Sequence, residues 1–479
     1  MGLKFGTSGV RGLVTEMTDL ECYLYSKAYS EYLKQSGASK VCLAGDFRNS
    51  TPRIMRAVAF AVYEAGLKLD NVGFAPTPML ALHSLAENAG GIMVTGSHIP
   101  DDRNGIKFYM PSGEILKSDE VRISNAYREL KSQPVPESFD SDGMLLNEVD
   151  TGIVNELVRN RYIQRYTDFF PAGCLEGMKL LFYQHSTVGR TIFPEILEKL
   201  GADVKLVGWS DSFIPVDTEA VSNPEILAAW VKEYGVDALV SADGDCDRPL
   251  LVDETGKMIR GDLLGILAAS FLNADSVSTP VSCNTALELS GKFKNISRTK
   301  IGSPYVIEAM NCAVDSGNHC VVGYEANGGF LTGSDIELSG CSGRLTALPT
   351  RDAVLPVLST LFASVKADKT LSELKNDLPP RFTVSGIIRE IPTEKGRAIV
   401  ESFSNNGIDY INKELSGIFG NCEEVDLTDG CRMRFEGGGI LHFRPSGNAP
   451  EFRIYTEYST EKDAVEYNSK GCKFIAGKL

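Results

Sequence analysis

Short apolar segments alternate with amphipathic stretches over most of the chain, and this alternation limits the fold more than any other feature of the sequence. The apolar runs have the length and composition of buried strands. They lie at residues 41–44, 91–95, 179–183, 238–241, 249–253 and 321–324. Helical patterns occupy residues 51–65, 192–200, 225–233 and 263–272. Strands that alternate with helices predict α/β units, in which helices pack on a sheet.

The length of 479 residues indicates about three or four domains, at roughly 100–200 residues each. A polar, proline-containing stretch at 132–143 indicates the end of a first domain. We place further boundaries after the hairpin-like segment 249–258 and within 371–381, which contains Asp-Leu-Pro-Pro. The tail that follows combines a strand, a long helix at 395–414 and several strands, which is typical of an α+β domain. The predicted domains are 1–152, 153–257, 258–372 and 373–479.

Composition and charge argue against several classes of protein. The net charge is −15, which argues against a nucleic-acid partner, although a few clustered Arg and Lys still allow small anionic substrates. The 11 Cys are scattered without CxxC spacing, which fits a reducing compartment. No signal-peptide pattern is visible, and no uncharged apolar run reaches the ~18 residues that a membrane span needs. We therefore expect a cytoplasmic protein without nucleic-acid or membrane partners.

The first candidate for chemistry is Ser97, which follows an apolar strand within Thr-Gly-Ser-His-Ile-Pro at 95–100. A nucleophile exposed at a strand end is a sensible catalytic arrangement, although a serine that caps a helix explains the spacing equally well. The residue two after Ser97 is Ile99 and not Gly, so this is not the G-x-S-x-G elbow of an α/β-hydrolase. His98 and Lys107 are nearby candidates for proton transfer, with a structural role as the alternative for each.

Three carboxylates, Asp243, Asp245 and Asp247, alternate along a short segment that follows an apolar run at 236–240. Hard oxygen ligands of this kind suit Mg²⁺, and without a cation the three charges would repel one another. The spacing imitates an EF-hand, but the sixth position of that loop requires Gly and is occupied here by Arg248. A solvated acidic turn is the alternative to a metal site, and the flanking apolar strands favour the metal site.

Three further segments combine glycines with groups that bind hydroxyls or phosphate. The segment 323–329 carries Glu325 and Asn327, which can bond sugar hydroxyls, although an ordinary turn also explains it. The segment 443–453 offers Arg, Ser, Gly and Asn groups that can grip a phosphate, and a hairpin turn is its alternative. The segment 5–12 has Gly, Ser, Thr and Arg, but is neither a Walker A loop nor G-x-G-x-x-G.

Together and in this order, these motifs resemble those of the α-D-phosphohexomutase superfamily. They are FGTSGVRG at 5–12, TGSHIP with NGIK at 95–107, DGDCDR at 243–248, GYEANGG at 323–329 and RPSGNAP with a following Arg at 444–453. The resemblance implies three related α/β domains with mixed sheets and a C-terminal α+β domain, arranged around a central cleft to which each contributes one loop. It also implies an isomerase-class phosphotransferase that moves a phosphoryl group between two positions of a hexose.

The resemblance further implies roles for individual residues. Ser97 would carry the phosphoryl group and would bind Mg²⁺ together with Asp243, Asp245 and Asp247. The catalytic candidates are Ser97, His98, Lys107, Arg11 and Arg248, with Lys107 or His98 as the general base. The substrate-binding candidates are Lys300, Glu325, Asn327, Arg444, Ser446, Gly447, Asn448 and Arg453. A hexose 1,6-bisphosphate would serve as activator and intermediate, hexose phosphates would be the partners, and the protein would be a monomer or a homodimer.

Several positions in these loops depart from the family pattern and bear on the identity of the sugar. Asn327 stands where Ser is usual, Gly329 where many members have His, and Asn448-Ala449 where Thr-Glu is frequent. Ser303 stands where some dual-specificity members have His, in a loop that we expect to contact substrate. The sugar loop lacks the patterns of glucosamine and of dedicated glucose members, and Gly329 is expected to leave room beside the sugar ring.

We therefore expect the conversion of mannose 6-phosphate to mannose 1-phosphate. A phosphoglucomutase or a dual-specificity enzyme is the first alternative. A phosphoglucosamine mutase, a metal-dependent phosphatase and an inactive relative are less favoured. A phosphatase would lack the second phosphate clamp at 444–448, and an inactive relative would have lost Ser97 or one of the three aspartates.

Overall fold

The computed structural model describes residues 3–6, 9–445 and 451–478. Four sheets of five or more strands follow one another along the chain, each with helices beside it, and a separate two-stranded ribbon accompanies the third sheet. The first three sheets are mixed and the fourth is antiparallel, so the predicted fold class of three α/β parts and a C-terminal α+β part is confirmed. Within the described residues, none of the helices combines the length and apolarity that a membrane span requires.

The first sheet carries the segment that contains Ser97. Its strands are β1 (Lys4–Phe5), β2 (Gly9–Leu13), β3 (Lys40–Gly45), β4 (Lys68–Phe74), β5 (Gly90–Val94), β6 (Arg103–Met110) and β7 (Gly113–Glu114). Its helices are α1 (Asp19–Lys34), α2 (Thr51–Glu64), α3 (Thr77–Ala86) and α4 (Lys117–Lys131). The strand order is β1-β2-β6-β5-β3-β4, with β7 beside β6. The central strand β3 is parallel to β4 and β5 and is largely buried, as its apolar sequence predicts.

The second sheet carries the acidic loop. Its part of the chain comprises α5 (Leu157–Thr167), β8 (Lys179–His185), α6 (Ile192–Lys199), β9 (Asp203–Trp209), α7 (Pro224–Tyr234), β10 (Ala238–Ala242), β11 (Pro249–Asp253) and β12 (Met258–Ile259). The strand order is β12-β11-β10-β8-β9. Strands β10 and β11 pair as an antiparallel hairpin, and its connection is the acidic segment 243–248. The predicted strand 249–253 coincides with β11.

The third sheet carries the predicted sugar loop. Its first elements are α8 (Gly261–Phe271), β13 (Ser276–Pro280), α9 (Ala286–Leu289), β14 (Asn295–Thr299), α10 (Ser303–Asp315) and β15 (Val321–Tyr324). They are followed by β16 (Phe330–Thr332), β17 (Ile336–Glu337), β18 (Arg344–Leu345), β19 (Leu348–Asp352), α11 (Val354–Ala367) and α12 (Leu371–Asn376). The strand order is β14-β13-β15-β16-β19, and β17 pairs with β18 in the ribbon. The sugar loop connects β15 to its antiparallel neighbour β16.

The fourth sheet is antiparallel throughout. Its elements are β20 (Phe382–Arg389), α13 (Thr393–Phe419), β21 (Cys422–Asp426), β22 (Cys431–Phe435), a 3₁₀ turn (Glu436–Gly438), β23 (Ile440–Pro445), β24 (Glu451–Tyr458) and α14 (Glu461–Ala476). The strand order is β20-β24-β23-β22-β21. The predicted long helix is found as α13, although Gly407 has a non-helical conformation with φ +69° inside it.

Apolar packing separates the fourth sheet from the other three. One continuous buried cluster includes side chains from each of the first three sheets, among them Met93, Phe182 and Val322. The fourth sheet has a cluster of its own, which includes Phe403 and Phe443. Because burial of apolar surface is the main stabilising contribution to folding, the first three parts support one another, whereas the fourth has its own core.

Buried polar contacts join the first part of the chain to the third. Glu114 in β7 accepts hydrogen bonds from Ser303 Oγ at 2.7 Å and from Thr350 Oγ1 at 2.6 Å. Ser303 is fully buried by this contact at the start of α10. The expectation that Ser303 lies in a substrate-contacting loop is therefore wrong, because its hydroxyl is directed at Glu114. Asp352 makes a similar buried contact with the second part of the chain, because it accepts hydrogen bonds from two tyrosine hydroxyls of α5.

One predicted domain boundary divides a sheet, and another divides a helix. The boundary at 257/258 separates β11 from its partner β12, so the second sheet extends to Ile259. The boundary at 372/373 cuts α12, whose neighbour α11 packs on α8 and β11. The changes from one sheet to the next therefore lie a few residues later than the sequence pattern indicated. The division into four domains itself stays a prediction.

Two buried histidines predict an acid-sensitive fold. Burial lowers the pKa of His185 and of His442 to about 4, and each ring donates through Nε2 to a backbone carbonyl. Both are neutral in the folded protein, whereas an unfolded His titrates near 6.5. The unfolded state thus binds more protons below pH 6.5, so stability falls as the pH drops from about 6.5 to about 4. Each histidine contributes up to about 1.4 kcal/mol per pH unit in this window.

We expect the thermal midpoint to fall between pH 7 and pH 5, and to fall less in His442→Gln, whose side chain does not titrate. Exposed His319 provides the matched control, and His319→Gln should keep the wild-type pH dependence. Thermal denaturation of the three proteins at several pH values measures this. An identical dependence in wild type and His442→Gln would show that His442 is not buried neutral.

Candidate active site

Ser97 lies in a tight loop between β5 and β6. Its side chain is fully buried, and its backbone has φ +57°, a left-handed conformation that is uncommon for a residue other than glycine. The backbone N–H of Ser97 donates to Thr95 Oγ1 at 2.8 Å. The loop is therefore constrained by local hydrogen bonds, and Ser97 does not cap a helix, which removes the alternative explanation of the sequence.

An ion pair at the end of β3 holds this loop in place. Arg48 Nε lies 3.2 Å from Asp46 Oδ2, and both side chains are buried. The guanidinium group also donates to the backbone carbonyls of Ser97, Ile99, Pro100 and Arg103. Gly96 is required beside it, because a Cβ there would lie 2.5 Å from Arg48 Cζ. Sequence reasoning missed this pair, although both residues directly follow a predicted strand that is parallel to β5, where functional side chains collect.

The acidic loop meets Ser97 directly. Asp243, Asp245 and Asp247 are fully buried, and one carboxylate oxygen from each lies within 4.8 Å of the others. Ser97 Oγ donates to Asp243 Oδ2 at 2.5 Å. Cys246, which alternates with the aspartates, has φ +58° and belongs to the apolar core. Two loops that are almost 150 residues apart in sequence thus form one site.

Cations from other elements neutralise the three aspartates. Lys107 Nζ in β6 lies 2.6 Å from Asp245 Oδ2 and 2.8 Å from Asp247 Oδ2. Arg351 Nη2 in β19 lies 3.0 Å from the same Asp247 oxygen. Arg248 lies farther away, at 3.6 Å from Asp247 Oδ1. Arg351 was missed by sequence reasoning, because a single charged residue inside a strand has no motif to mark it.

This donor set fits a hard divalent cation. Asp245 Oδ1 and Asp247 Oδ1 are buried, and neither has a hydrogen-bond partner within the described chain. Unpaired carboxylate oxygens in a buried site are costly, and hard cations such as Mg²⁺ prefer oxygen ligands of this kind. The acidic triad can therefore hold a metal ion, with Ser97 Oγ beside it.

The electrostatics of the site follow from burial and from these neighbours. Burial, with repulsion from Asp245 and Asp247, raises the pKa of Asp243 well above its usual value. Burial opposes ionisation of Asp247 as well, but Arg351 and Lys107 outweigh it and lower the pKa of Asp247. Two like-charged neighbours thus titrate very differently, which is typical of functional sites.

The two candidates for the general base have different surroundings. Burial opposes the charge of Lys107, but Asp245 and Asp247 outweigh it and raise the pKa of Lys107. Burial and then Arg248 lower the pKa of His98 well below its usual value. His98 Nδ1 accepts from Arg248 Nη1 at 2.8 Å and lies 3.3 Å from Ser97 Oγ. Both side chains are within reach of the reacting region, so the choice between them stays open.

The sugar loop lies next to this centre. Glu325 Oε2 accepts from Arg351 Nη1 at 3.0 Å, and Asn327 Oδ1 accepts from Gly329 N at 2.9 Å. The expectation that Gly329 leaves room beside a sugar ring is wrong, because a Cβ at Gly329 would lie 2.6 Å from Arg351 Cδ. The space beside Gly329 is filled by the arginine side chain. Thr218 Oγ1 donates to the carbonyl of Asn327, so the second part of the chain also supports this loop.

The remaining predicted cations have different surroundings. Arg11 lies in β2, and burial, with repulsion from Arg248 and Arg351, lowers its pKa to about 10. Lys300 is exposed, and its Nζ lies 5.9 Å from the ring centre of Tyr305.

The two arginines of the fourth sheet that the sequence analysis selected lie side by side. Arg444 and Arg453 are direct partners across β23 and β24. Asp429 accepts from Arg444 Nε at 2.9 Å and from the N–H of Ile301 at 2.9 Å, which connects this sheet to the loop of Lys300. After burial, Arg248 and Arg11, the charge of Arg453 also contributes to the lowered pKa of His98. The predicted phosphate-binding residues Ser446, Gly447 and Asn448 lie outside the described residues.

A second group with metal-ligating side chains occurs in the described structure, at Cys42, Asp70 and His83. His83 Nε2 lies 2.9 Å from Asp70, and His83 Nδ1 accepts from Arg161 at 3.0 Å. Lys40 Nζ lies 3.6 Å from the same Asp70 oxygen. Both ring nitrogens are already used and two cations are close, so this group forms a hydrogen-bond network in place of a metal site.

Comparison with known proteins gives a consistent result. Models of the phosphoglucomutase/phosphomannomutase family match the chain: its alpha/beta/alpha domain I over residues 2–134, domain II over 160–256 and domain III over 260–382. A phosphomannomutase of Sinorhizobium fredii (strain NBRC 101917 / NGR234) is 43% identical over 477 residues, which cover 98% of this chain and 97% of the relative. A phosphomannomutase of Salmonella muenchen is 41% identical over 484 residues, covering 100% of this chain and 96% of the relative.

Solved structures share the fold. A phosphoglucomutase/phosphomannomutase family protein from Burkholderia thailandensis superimposes with a TM-score of 0.72 at 18% identity, covering 98% of this chain and 96% of that one. At this identity the likeness shows the fold alone. The sequence relatives and the shared fold together cover the whole arrangement of four sheets.

The unpaired aspartate oxygens generate a test of metal binding. We expect Asp245→Asn to weaken Mg²⁺ binding by about 10–100-fold, the loss that changes around metal ligands typically cause. The amide keeps the shape of the side chain, so the thermal midpoint without metal should change little. Isothermal titration with Mg²⁺ measures the affinity, and Asp70→Asn in the second group is the matched control. Equal affinity in Asp245→Asn and wild type would exclude the acidic loop as the metal site.

Proposed function

Because the chain belongs to the phosphoglucomutase/phosphomannomutase family, we propose that it interconverts mannose 6-phosphate and mannose 1-phosphate through a phosphoserine at Ser97. The resemblance read from the five sequence motifs is thereby confirmed. The protein is a mutase, an isomerase-class phosphotransferase, and the two phosphomannomutases that are 43% and 41% identical over nearly the whole chain support mannose as the sugar.

The contact between Ser97 Oγ and Asp243 carries the proposal. It places a nucleophilic hydroxyl in a buried cluster of three carboxylates that is surrounded by cations. A phosphoserine carries a charge of about −1.5 to −2 at pH 7 and would need such neutralisation. Neither a solvated turn nor a helix cap requires a buried hydroxyl among three carboxylates and several cations. The geometry supports phosphoryl transfer, which depends mainly on positioning and electrostatic stabilisation.

Asp243, Asp245 and Asp247, with Ser97, would hold Mg²⁺, which when bound offsets phosphoserine charge and polarises the P–O bond. The protein adds fixed cations around the same point. Lys107 and Arg351 both contact Asp247 Oδ2, and Arg248 lies next to His98. Burial of these groups also excludes water, which would otherwise hydrolyse the phosphoserine.

Each transfer step exchanges one bond between phosphorus and oxygen for another. A free hydroxyl of the bound sugar phosphate attacks the phosphorus atom, and the bond from phosphorus to Ser97 Oγ breaks with its electron pair left on Oγ. The hydroxyl proton passes to the general base, for which Lys107 and His98 are the candidates, and Ser97 Oγ takes up a proton. The product is a hexose 1,6-bisphosphate, which also serves as the activator that phosphorylates the resting enzyme.

The bisphosphate must then turn over, so that its other phosphate returns to Ser97. A distal clamp has to accept either end of the sugar in turn. Arg444 and Arg453 lie side by side on the fourth sheet and provide two guanidinium groups for this clamp, together with the predicted Ser446, Gly447 and Asn448. The separate apolar core of the fourth sheet suits a part that adjusts to both orientations. A cytoplasmic location and a monomer or homodimer complete the proposal.

Replacement of the nucleophile tests the mechanism. Ser97→Ala should lose at least about 10³-fold in turnover, because the covalent route is removed. Intact-mass measurement of the wild type should find a phosphorylated fraction that maps to Ser97 and is absent from the variant. Exposed Ser36 supplies the control, and Ser36→Ala should retain both activity and phosphate. A Ser97→Ala protein with near-normal turnover would exclude the phosphoserine mechanism.

The identity of the sugar is tested by comparing substrates. Mannose and glucose differ in the direction of one hydroxyl, and one neutral hydrogen bond contributes about 0.5–1.5 kcal/mol. We therefore expect kcat/KM for mannose 1-phosphate to exceed that for glucose 1-phosphate by no more than about tenfold. A coupled assay with both sugars under one set of conditions measures the ratio. A preference for glucose above about a hundredfold, more than one such bond supplies, would overturn the mannose assignment.

A further inference from the structure

Arg351 connects two loops that carry different parts of the proposed reaction. Its Nη1 donates to Glu325 Oε2 in the sugar loop at 3.0 Å. Its Nε and Nη2 lie 3.1 Å and 3.0 Å from Asp247 Oδ2 in the acidic loop. The arginine is only 4% exposed, so both contacts are shielded from water. One planar guanidinium group thus holds a carboxylate on each side.

Neighbouring residues are shaped around this arginine. Strand β19 pairs with β16, and this pairing brings Arg351 next to the end of the sugar loop. At Gly329, a Cβ would lie 2.6 Å from both Cγ and Cδ of Arg351. Because Gly329 has no side chain, the stem of Arg351 can pass beside it and reach both loops. The rigid fork of an arginine can bridge two carboxylates in this way, whereas a lysine presents a single point charge.

Each of the two bridged carboxylates has one oxygen that is not bonded to Arg351. Asp247 gives Oδ2 to Arg351, and its buried Oδ1 accepts no hydrogen bond within the described chain. Glu325 gives Oε2, and among the described residues no hydrogen bond to its Oε1 is found. The second oxygen of Asp247 would be available to the proposed cation, and that of Glu325 to a sugar hydroxyl. Arg351 therefore fixes the orientation of one group on the transfer side and one on the sugar side.

We propose that Arg351 is a positioning residue that couples the sugar loop to the phosphoryl-transfer centre, and that it favours transfer to a bound sugar over transfer to water. This inference rests on the proposed phosphomutase function and deepens it. Transfer to a sugar requires the attacking hydroxyl to lie in line with the phosphoserine, and a misplacement of about 1 Å costs about 10²-fold. Transfer to water does not require the sugar loop to be positioned. Loss of the bridge should therefore slow transfer to the sugar much more than hydrolysis.

The test measures two fates of the same phosphoenzyme. Protein phosphorylated with glucose 1,6-bisphosphate is mixed with mannose 6-phosphate, or is left in buffer with Mg²⁺, and sugar bisphosphate or inorganic phosphate is quantified. In Arg351→Met we expect transfer to the sugar to fall about 10–100-fold, while hydrolysis changes less than about threefold. Arg351→Lys should recover only part of the loss. In steady state, kcat should fall more than KM rises.

A second variant disturbs the bridge from its other side. Gly329→Ala keeps every charge but places a methyl group against the arginine stem, and it should shift the ratio of transfer to hydrolysis in the same direction. Exposed Arg344, which pairs with Asp335, gives the matched control, and Arg344→Met should keep the wild-type ratio. If Arg351→Met fails to fold, Gly329→Ala decides the question on its own.

The outcomes are distinguishable. An equal fall in transfer and hydrolysis would mean that Arg351 serves the acidic loop alone, and would overturn the coupling. A lower thermal midpoint with an unchanged ratio would assign it a purely structural role and overturn the proposal as well. A wild-type protein that phosphorylates Ser97 but forms no sugar bisphosphate would contradict the proposed function instead. A selective loss of transfer in both Arg351→Met and Gly329→Ala would support the inference.

Discussion

The repulsion among three buried carboxylates is the constraint on which the rest of this structure depends. Asp243, Asp245 and Asp247 occupy one short loop without exposure to water, which is tolerable only if cations approach them. Lys107 comes from the first sheet and Arg351 from the third, whereas the aspartates belong to the second. The charge balance of the site therefore requires three separately formed sheets to meet at one place.

Buried contacts between the first three sheets hold them together at this place. Glu114 and Asp352 are buried carboxylates that accept hydroxyl groups from neighbouring parts of the chain, and one apolar cluster runs through all three parts. Hydroxyl donors satisfy these carboxylates without adding further charge. The fourth sheet is attached through polar contacts such as that between Asn284 of the third part and Thr383 of β20, and it has its own core. The support of the proposed transfer centre and the part that carries Arg444 and Arg453 are thus built differently.

Two non-glycine residues with a strained backbone lie where the Ser97 loop meets the acidic loop. Ser97 and Cys246 both have positive φ values, a conformation that costs of order 1–3 kcal/mol for residues of this kind. The surrounding contacts must offset that cost. At Ser97, the bonds that Arg48 donates to four backbone carbonyls do so, with Asp46 compensating the arginine charge. The serine is consequently directed at Asp243 before any substrate is bound.

Local sequence was sufficient for the alternation of strands and helices, for the order of the loops, and for Ser97 and the three aspartates. These features depend on periodicity and on residue types that are close in the chain, so a single sequence records them. The sequence did not reveal Arg351, Asp46 or Arg48, the burial of Ser303, or the space filled beside Gly329. Each depends on which side chains approach from distant strands. The local sequence around an arginine in a strand is the same whether its side chain faces water or bridges two carboxylates. Only the packing of the sheets therefore decides its role.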